Sequence, residues 1–133
     1  KTIREIMIKD FLIISFTGKK NLLGLRVDNN FFIQKLQINI GDKDSLVSSI
    51  LEFLKMNKIE INKKFSIIVN LGPGSFSSIR TSISIAKGIK VSVGSNIYGY
   101  NDYQLSEFNL KNIELLIKKD LMENQLIKPV YLS

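Results

Sequence analysis

Three observations predict an α/β fold built on a mixed sheet. The chain opens with three β-rich runs joined by tight turns. Two of its strand-like runs, Phe11–Thr17 and Phe65–Leu71, are apolar almost throughout, as in strands covered on both faces. From Gly41 onward, strand-like runs alternate with segments of helical periodicity, the pattern of βα units.

The elements follow in order. Residues 1–10 mix charged and apolar side chains and read as an N-terminal arm or an added strand. Phe11–Thr17 is the central strand, and Gly18–Asn21 is a turn. Leu22–Val27 is a second strand, Asp28-Asn29-Asn30 a second turn, and Phe31–Ile40 a third strand, so that two consecutive hairpins form. Asp42 or Asp44 caps a helix over 43–57. Its apolar residues fall in two adjacent stripes, Leu46, Ile50 and Phe53 beside Val47, Leu51 and Leu54. A face that wide predicts contact with more than the helix's own sheet. Phe65–Leu71 is a buried strand ended by Gly72-Pro73-Gly74, and Ser75–Val93 is a long helix stopped by Gly94. Asn96–Tyr100 is the fifth strand, and Asp102–Phe108 a short helix or turn capped by Asn101 or Asp102. An amphipathic helix follows over 112–124 (Ile113, Leu116, Ile117, Leu121), and 129–133 is an extended tail. The order β-β-β-α-β-α-β-α gives a mixed five-stranded sheet flanked by helices. That is the ribonuclease H-like half of the actin-like ATPase fold, with the second lobe largely missing. We divide the chain into the arm at 1–10, a lobe at 11–108, and a C-terminal helix and tail at 109–133.

Composition narrows the chemistry. The 133 residues are 44% hydrophobic and 23% charged, ordinary values for a folded domain of this length. The chain has no Cys and no His. Disulfides, thiolate or imidazole metal sites, Ser-His-Asp and Cys-His nucleophile arrangements, and a His general base are all excluded. Nineteen Lys and Arg against twelve Asp and Glu give a net charge of +7. The lysines come in scattered pairs (Lys19-Lys20, Lys63-Lys64, Lys118-Lys119), so they read as a solvated coat or as attraction to an anionic partner such as RNA. The longest apolar run, Phe11–Phe16, falls far short of the ~20 residues that span a bilayer. Glu5 and Asp10 interrupt any signal-peptide core, and the expected location is cytoplasmic, with no membrane partner.

The sharpest motif is Gly72-Pro73-Gly74-Ser75-Phe76, followed by Arg80. A glycine-rich turn feeding a helix exposes N–H groups able to hold an anion, and it serves equally as a tight turn with Ser75 as the cap. It has neither the Lys and spacing of a P-loop nor the third Gly of a dinucleotide fingerprint. Along the same helix, Ser77, Thr81, Ser84 and Gly88 share one face of small side chains. That stripe fits packing against the helix at 43–57 or a close approach by a partner. Ser15 ends the first strand where actin-like ATPases carry the carboxylate that organises the metal, leaving Mg²⁺ without an anchor. We therefore expect no catalytic residue, no metal and no cofactor on this chain.

The string Gly72-Pro-Gly-Ser-Phe-Ser-Ser-Ile-Arg80, continued by Ile85-Ala-Lys-Gly-Ile89, resembles the GPGSFTGxR…AKG signature of the TsaB (YeaZ) family. Ile97–Tyr100 resembles that family's strand leading into a helix, and Lys128–Leu132 its PxYLR tail, with Ser133 in place of Arg. The resemblance implies a non-catalytic scaffold that binds and activates TsaD, the transferase that makes N6-threonylcarbamoyladenosine at tRNA position 37. A TsaE-like ATPase often joins such complexes, and tRNA is met through the assembly. It also implies that the helices at 43–57 and 75–93 face the partner, through Leu46, Ile50, Phe53, Ser77, Thr81, Ser84 and Gly88. The same helices would support a homodimer. Ser77-Ser78 replaces the signature's Thr-Gly, and the family's usual His near the first helix is missing. Two other readings stand beside this one: a basic RNA-binding module acting without TsaD, and a divergent phosphotransferase or hydrolase.

Overall fold

The computed structural model describes residues 8–37, 42–119 and 121–123. Residues 1–7 of the expected arm, the end of the expected third strand at 38–40, and the tail from 124 onward lie outside the described residues.

The sheet runs β3-β2-β1-β4-β5-β6. Its strands are β1 (Phe11–Phe16), β2 (Asn21–Val27), β3 (Asn30–Lys35), β4 (Ser66–Asn70), β5 (Asn96–Tyr100) and the two-residue β6 (Met122–Glu123). β2 is antiparallel to both β1 and β3, while β1, β4 and β5 are parallel. The first five strands form the mixed sheet expected from the sequence, with helices α1 (Lys43–Met56), α2 (Phe76–Val93) and α3 (Leu110–Lys119) around it. The β2–β3 connection is a two-residue turn in which Asp28 (φ 49°) and Asn29 (φ 69°) are both left-handed. This geometry matches the strand twist and suits Asp and Asn.

β1 is buried along its whole length because each face is covered. Leu12, Ile14 and Phe16 pack with Ile67, Val69, and Leu46, Ile50 and Phe53 of α1, and with Ile85 and Ala86 of α2. Phe11 and Ile13 point the other way, toward Ile68, Tyr98, and Ile113, Leu116 and Ile117 of α3. The alternation of one strand between two cores follows from its period of two.

The last part of the chain departs from expectation. α3 spans Leu110–Lys119, whereas the spacing predicts 112–124. Asn109 caps it, its side chain accepting from the Asn112 N–H at 2.8 Å. Met122 and Glu123 pair antiparallel with Gly99 and Tyr98, extending the β5 edge. An open strand edge offers backbone partners that a helix continuing past Lys119 would forgo.

Among the described residues no helix is long and apolar enough to cross a membrane.

Candidate functional site

The site grows from the ends of the three parallel strands, where Ser15 is the penultimate residue of β1, and Asn70 and Tyr100 are the last of β4 and β5. Ligands of open α/β sheets sit outside such carboxyl ends. Asn70 is fully buried and satisfies three groups at once. Its amide nitrogen donates to Ser15 Oγ at 3.2 Å and to Asp102 Oδ1 at 3.0 Å, and its oxygen accepts from the Gly72 N–H at 2.9 Å. Ser15 Oγ donates in turn to the Lys20 carbonyl at 3.1 Å, and Lys20 Nζ lies 3.5 Å from Asp102 Oδ2. The Ser15 hydroxyl thus ties β1 to the following turn. The Tyr100 hydroxyl is buried beside Ser15 and Asn70 without a well-formed hydrogen bond. Burial, and secondarily the nearby Asp102 charge, push its pKa well above the ordinary phenol value, so it stays protonated. Among the described residues no three His, Cys, Asp or Glu side chains are placed to hold a metal.

The Gly72–Gly74 turn seats directly on this cluster. The Gly72–Pro73 peptide is cis, and Gly72 has φ 95°. The Ser75 N–H donates to the Thr17 carbonyl at 2.7 Å, and the Gly72 carbonyl accepts from the Asp102 N–H at 2.8 Å. A Cβ on Gly74 would lie 2.6 Å from the Thr17 carbonyl oxygen and 2.7 Å from Thr17 Cβ, so only glycine lets the turn pass. Ser75 caps α2, its hydroxyl accepting from the Ser78 N–H at 3.4 Å. Phe76 is exposed with the Arg80 guanidinium 5.2 Å above its ring centre. The motif thus spends most of its polar groups on joining three loops.

The second region is the outer side of α1 and α2, and here the expected interface needs correction. Leu46, Ile50 and Phe53 are core residues, packed on the sheet and closed to any partner. The sheet takes that stripe together with Leu54 because burying it removes the most apolar area from water. The other stripe splits, with Leu51 exposed and Val47 half-buried; Met56 is exposed at the helix end. Asp42, not Asp44, is the α1 cap. Its carboxylate accepts from the Ser45 hydroxyl at 2.7 Å and the Ser45 N–H at 3.1 Å, which holds its pKa below the ordinary value.

On α2 the inward stripe is Ser78, Ile79, Ser82, Ile85 and Ala86. Its small members let the helix lie close to the sheet, and Ser82 Oγ donates back to the Ser78 carbonyl at 3.0 Å. The neighbouring stripe faces outward: Ser77, Ser84 and Gly88 are exposed and Thr81 is half-buried. Lys43 Nζ reaches Ser84 Oγ at 3.5 Å, so α1 touches the stripe at one end. At Gly88 an added Cβ would meet nothing within 4 Å. Val91 lies further along α2, also exposed.

The turn and the small-residue stripe are legible in the sequence; the meeting of Thr17, Asn70, Tyr100 and Asp102 is not. A signal was there in Asn70, a polar residue inside the apolar run Phe65–Leu71, since a buried amide implies partners. A cleft of about 840 Å³ lies elsewhere, between the start of β1, the end of β2 and α3. Arg26 there bonds the Lys9 carbonyl and Asn29 Oδ1, both at 3.0 Å, and lies 3.9 Å from Glu114. That cleft is lined by charges of both signs and contains none of the motif.

No protein-family model and no curated protein matches the sequence. Solved structures do match the fold. YeaZ from Pseudomonas aeruginosa superposes with a TM-score of 0.66 at 14% identity, over 74% of this chain and 46% of that one. A second structure, described as an uncharacterized protein with similarity to peptidase YEAZ from Pseudomonas aeruginosa, gives the same score and identity over 74% and 45%. The chain spans less than half the length of these proteins, and what it shares with them is the ribonuclease H-like half of the YeaZ fold.

Proposed function

We propose that this chain is a non-catalytic partner subunit that binds a TsaD-like transferase in the synthesis of N6-threonylcarbamoyladenosine at tRNA position 37. The reading is carried by one coincidence: the GPGSF–Arg80–AKG string stands at the β4–α2 junction of a fold that superposes on YeaZ. In it, the transferase supplies the chemistry, a TsaE-like ATPase joins the assembly, and this chain needs no nucleotide or metal of its own. Ser15 in place of a strand-end carboxylate favours that division of labour. The docking face is the outer side of α1 and α2. Leu51, Met56 and Val91 supply apolar contact, and Ser77, Ser84 and Gly88 let a partner helix approach closely.

The test mixes this protein with the TsaD-like protein of the same cell and weighs the product by size-exclusion chromatography with light scattering. A one-to-one complex is expected, lost on Ser84→Arg. Ser84 is exposed, so the variant should melt within about 0.5 kcal/mol of the wild type. A homodimer of the chain alone, broken by the same substitution, would assign the face to self-association in the partner's absence. No complex at micromolar concentration, or one that survives both Ser84→Arg and Gly88→Arg, would refute the proposal.

A further inference from the structure

The three loops at the carboxyl end of the parallel strands form one continuous surface. The Ser75 N–H bonds the Thr17 carbonyl, the Asp102 N–H bonds the Gly72 carbonyl, and Lys20 reaches Asp102. Each loop carries an outward group. The β1–β2 turn brings Lys19 and Lys20. The first turn of α2 brings Phe76, 51% exposed, with Arg80 over its ring. The turn after β5 brings Tyr103, 77% exposed, its hydroxyl accepting from Asn101 Nδ2 at 3.1 Å.

Neither ring belongs to either core cluster. Leaving a ring in water forgoes the free energy of burying it. Each has a neighbour that restrains it, which lowers the entropy lost when a flat ligand stacks. The surroundings are basic: Asp102 is the only acidic residue in segments 17–20, 72–80 and 101–104, and Lys20 already pairs with it. Among the described residues, the large exposed aliphatic side chains (Ile33, Leu51, Met56, Val91 and Leu115) all lie outside these loops, so the two rings stand here without the aliphatic surround that a protein interface core would supply.

We propose that this end of the molecule binds unpaired RNA, with bases stacking on Phe76 and Tyr103 while Lys19, Lys20 and Arg80 meet the phosphates. Aromatic rings beside cations select single strands, because duplex bases hide their faces from side chains. The choice of RNA over DNA rests on the tRNA role proposed above; the stacking surface does not.

The experiment uses this protein alone, so its result is independent of the transferase. Fluorescence anisotropy would compare a short unstructured RNA, the same strand annealed to its complement, and DNA of the same sequence. The single-stranded RNA should bind about 10-fold more tightly than the duplex. Tyr103→Ser and Phe76→Leu should each weaken it about 5-fold or more. Lys19→Glu should weaken it and flatten its salt dependence. All three positions are exposed, and unchanged melting curves would confirm folded variants. Equal affinity for duplex, unchanged affinity in both ring variants, tighter binding to DNA, or no binding at micromolar concentration would each overturn the proposal.

Discussion

A Cβ added at Gly74 would lie 2.6 Å from a backbone oxygen, whereas one added at Gly88 would meet open space. Both glycines belong to the string that resembles the TsaB signature, yet they stand in opposite surroundings. Gly74 sits where the β1–β2 turn, the β4–α2 turn and the segment after β5 close on one another through Asn70, Thr17 and Asp102. Gly88 sits on the outer face of a helix that has already buried its other side. The first region spends most of its buried polar groups on internal partners. The second costs the monomer helix propensity and gains it no contact.

The largest expected effect breaks the first region. Gly74→Ala must displace either the new methyl or the Thr17 backbone, and overpacking of this kind costs about 3 kcal/mol. Urea denaturation should show the midpoint falling with little change in slope. An unchanged midpoint would mean that the turn has room to move. Next comes Asn70→Ala, which leaves the Gly72 N–H and Ser15 without their partner and should cost about 2 kcal/mol. A loss under about 0.5 kcal/mol would show that the network contributes nothing net to stability, and the contrast between the regions would then fail.

The smallest effect has the opposite sign. Gly88→Ala should stabilise the monomer by about 0.5–1 kcal/mol, because alanine is the better helix former and its methyl clashes with nothing. If the face is kept for close helix approach, the same variant should bind the TsaD-like protein less tightly. Stabilisation with undiminished binding would leave Gly88 without a role at the interface.

Much of this organisation was legible in the residues. The two-faced apolar run at Phe11–Phe16, the turn residues at Asp28 and Asn29, and Gly94 at the end of α2 each act through local sterics or period. The fold class followed because such signals need only neighbours in sequence. The candidate site was half legible: the turn could be read because glycine and proline act locally, but Asn70 meets Tyr100 and Asp102 only when β4 and β5 come side by side.

The division on α1 is the clearest case. Helical spacing establishes that Leu46, Ile50 and Phe53 share a side and that Leu51 lies off it. It does not establish which stripe the sheet will cover, because that depends on how much apolar area the sheet, α1 and α2 together remove from water. Burial inverted the expected interface, drawing Leu46, Ile50 and Phe53 into the core and leaving Leu51 and Met56 outside. Likewise, periodicity drew α3 through residue 124, and only the open edge of β5 turned Met122 and Glu123 into a strand. Element type is a local property and followed from the chain, whereas the choice of exposed face is a sum over distant surfaces and waited on packing.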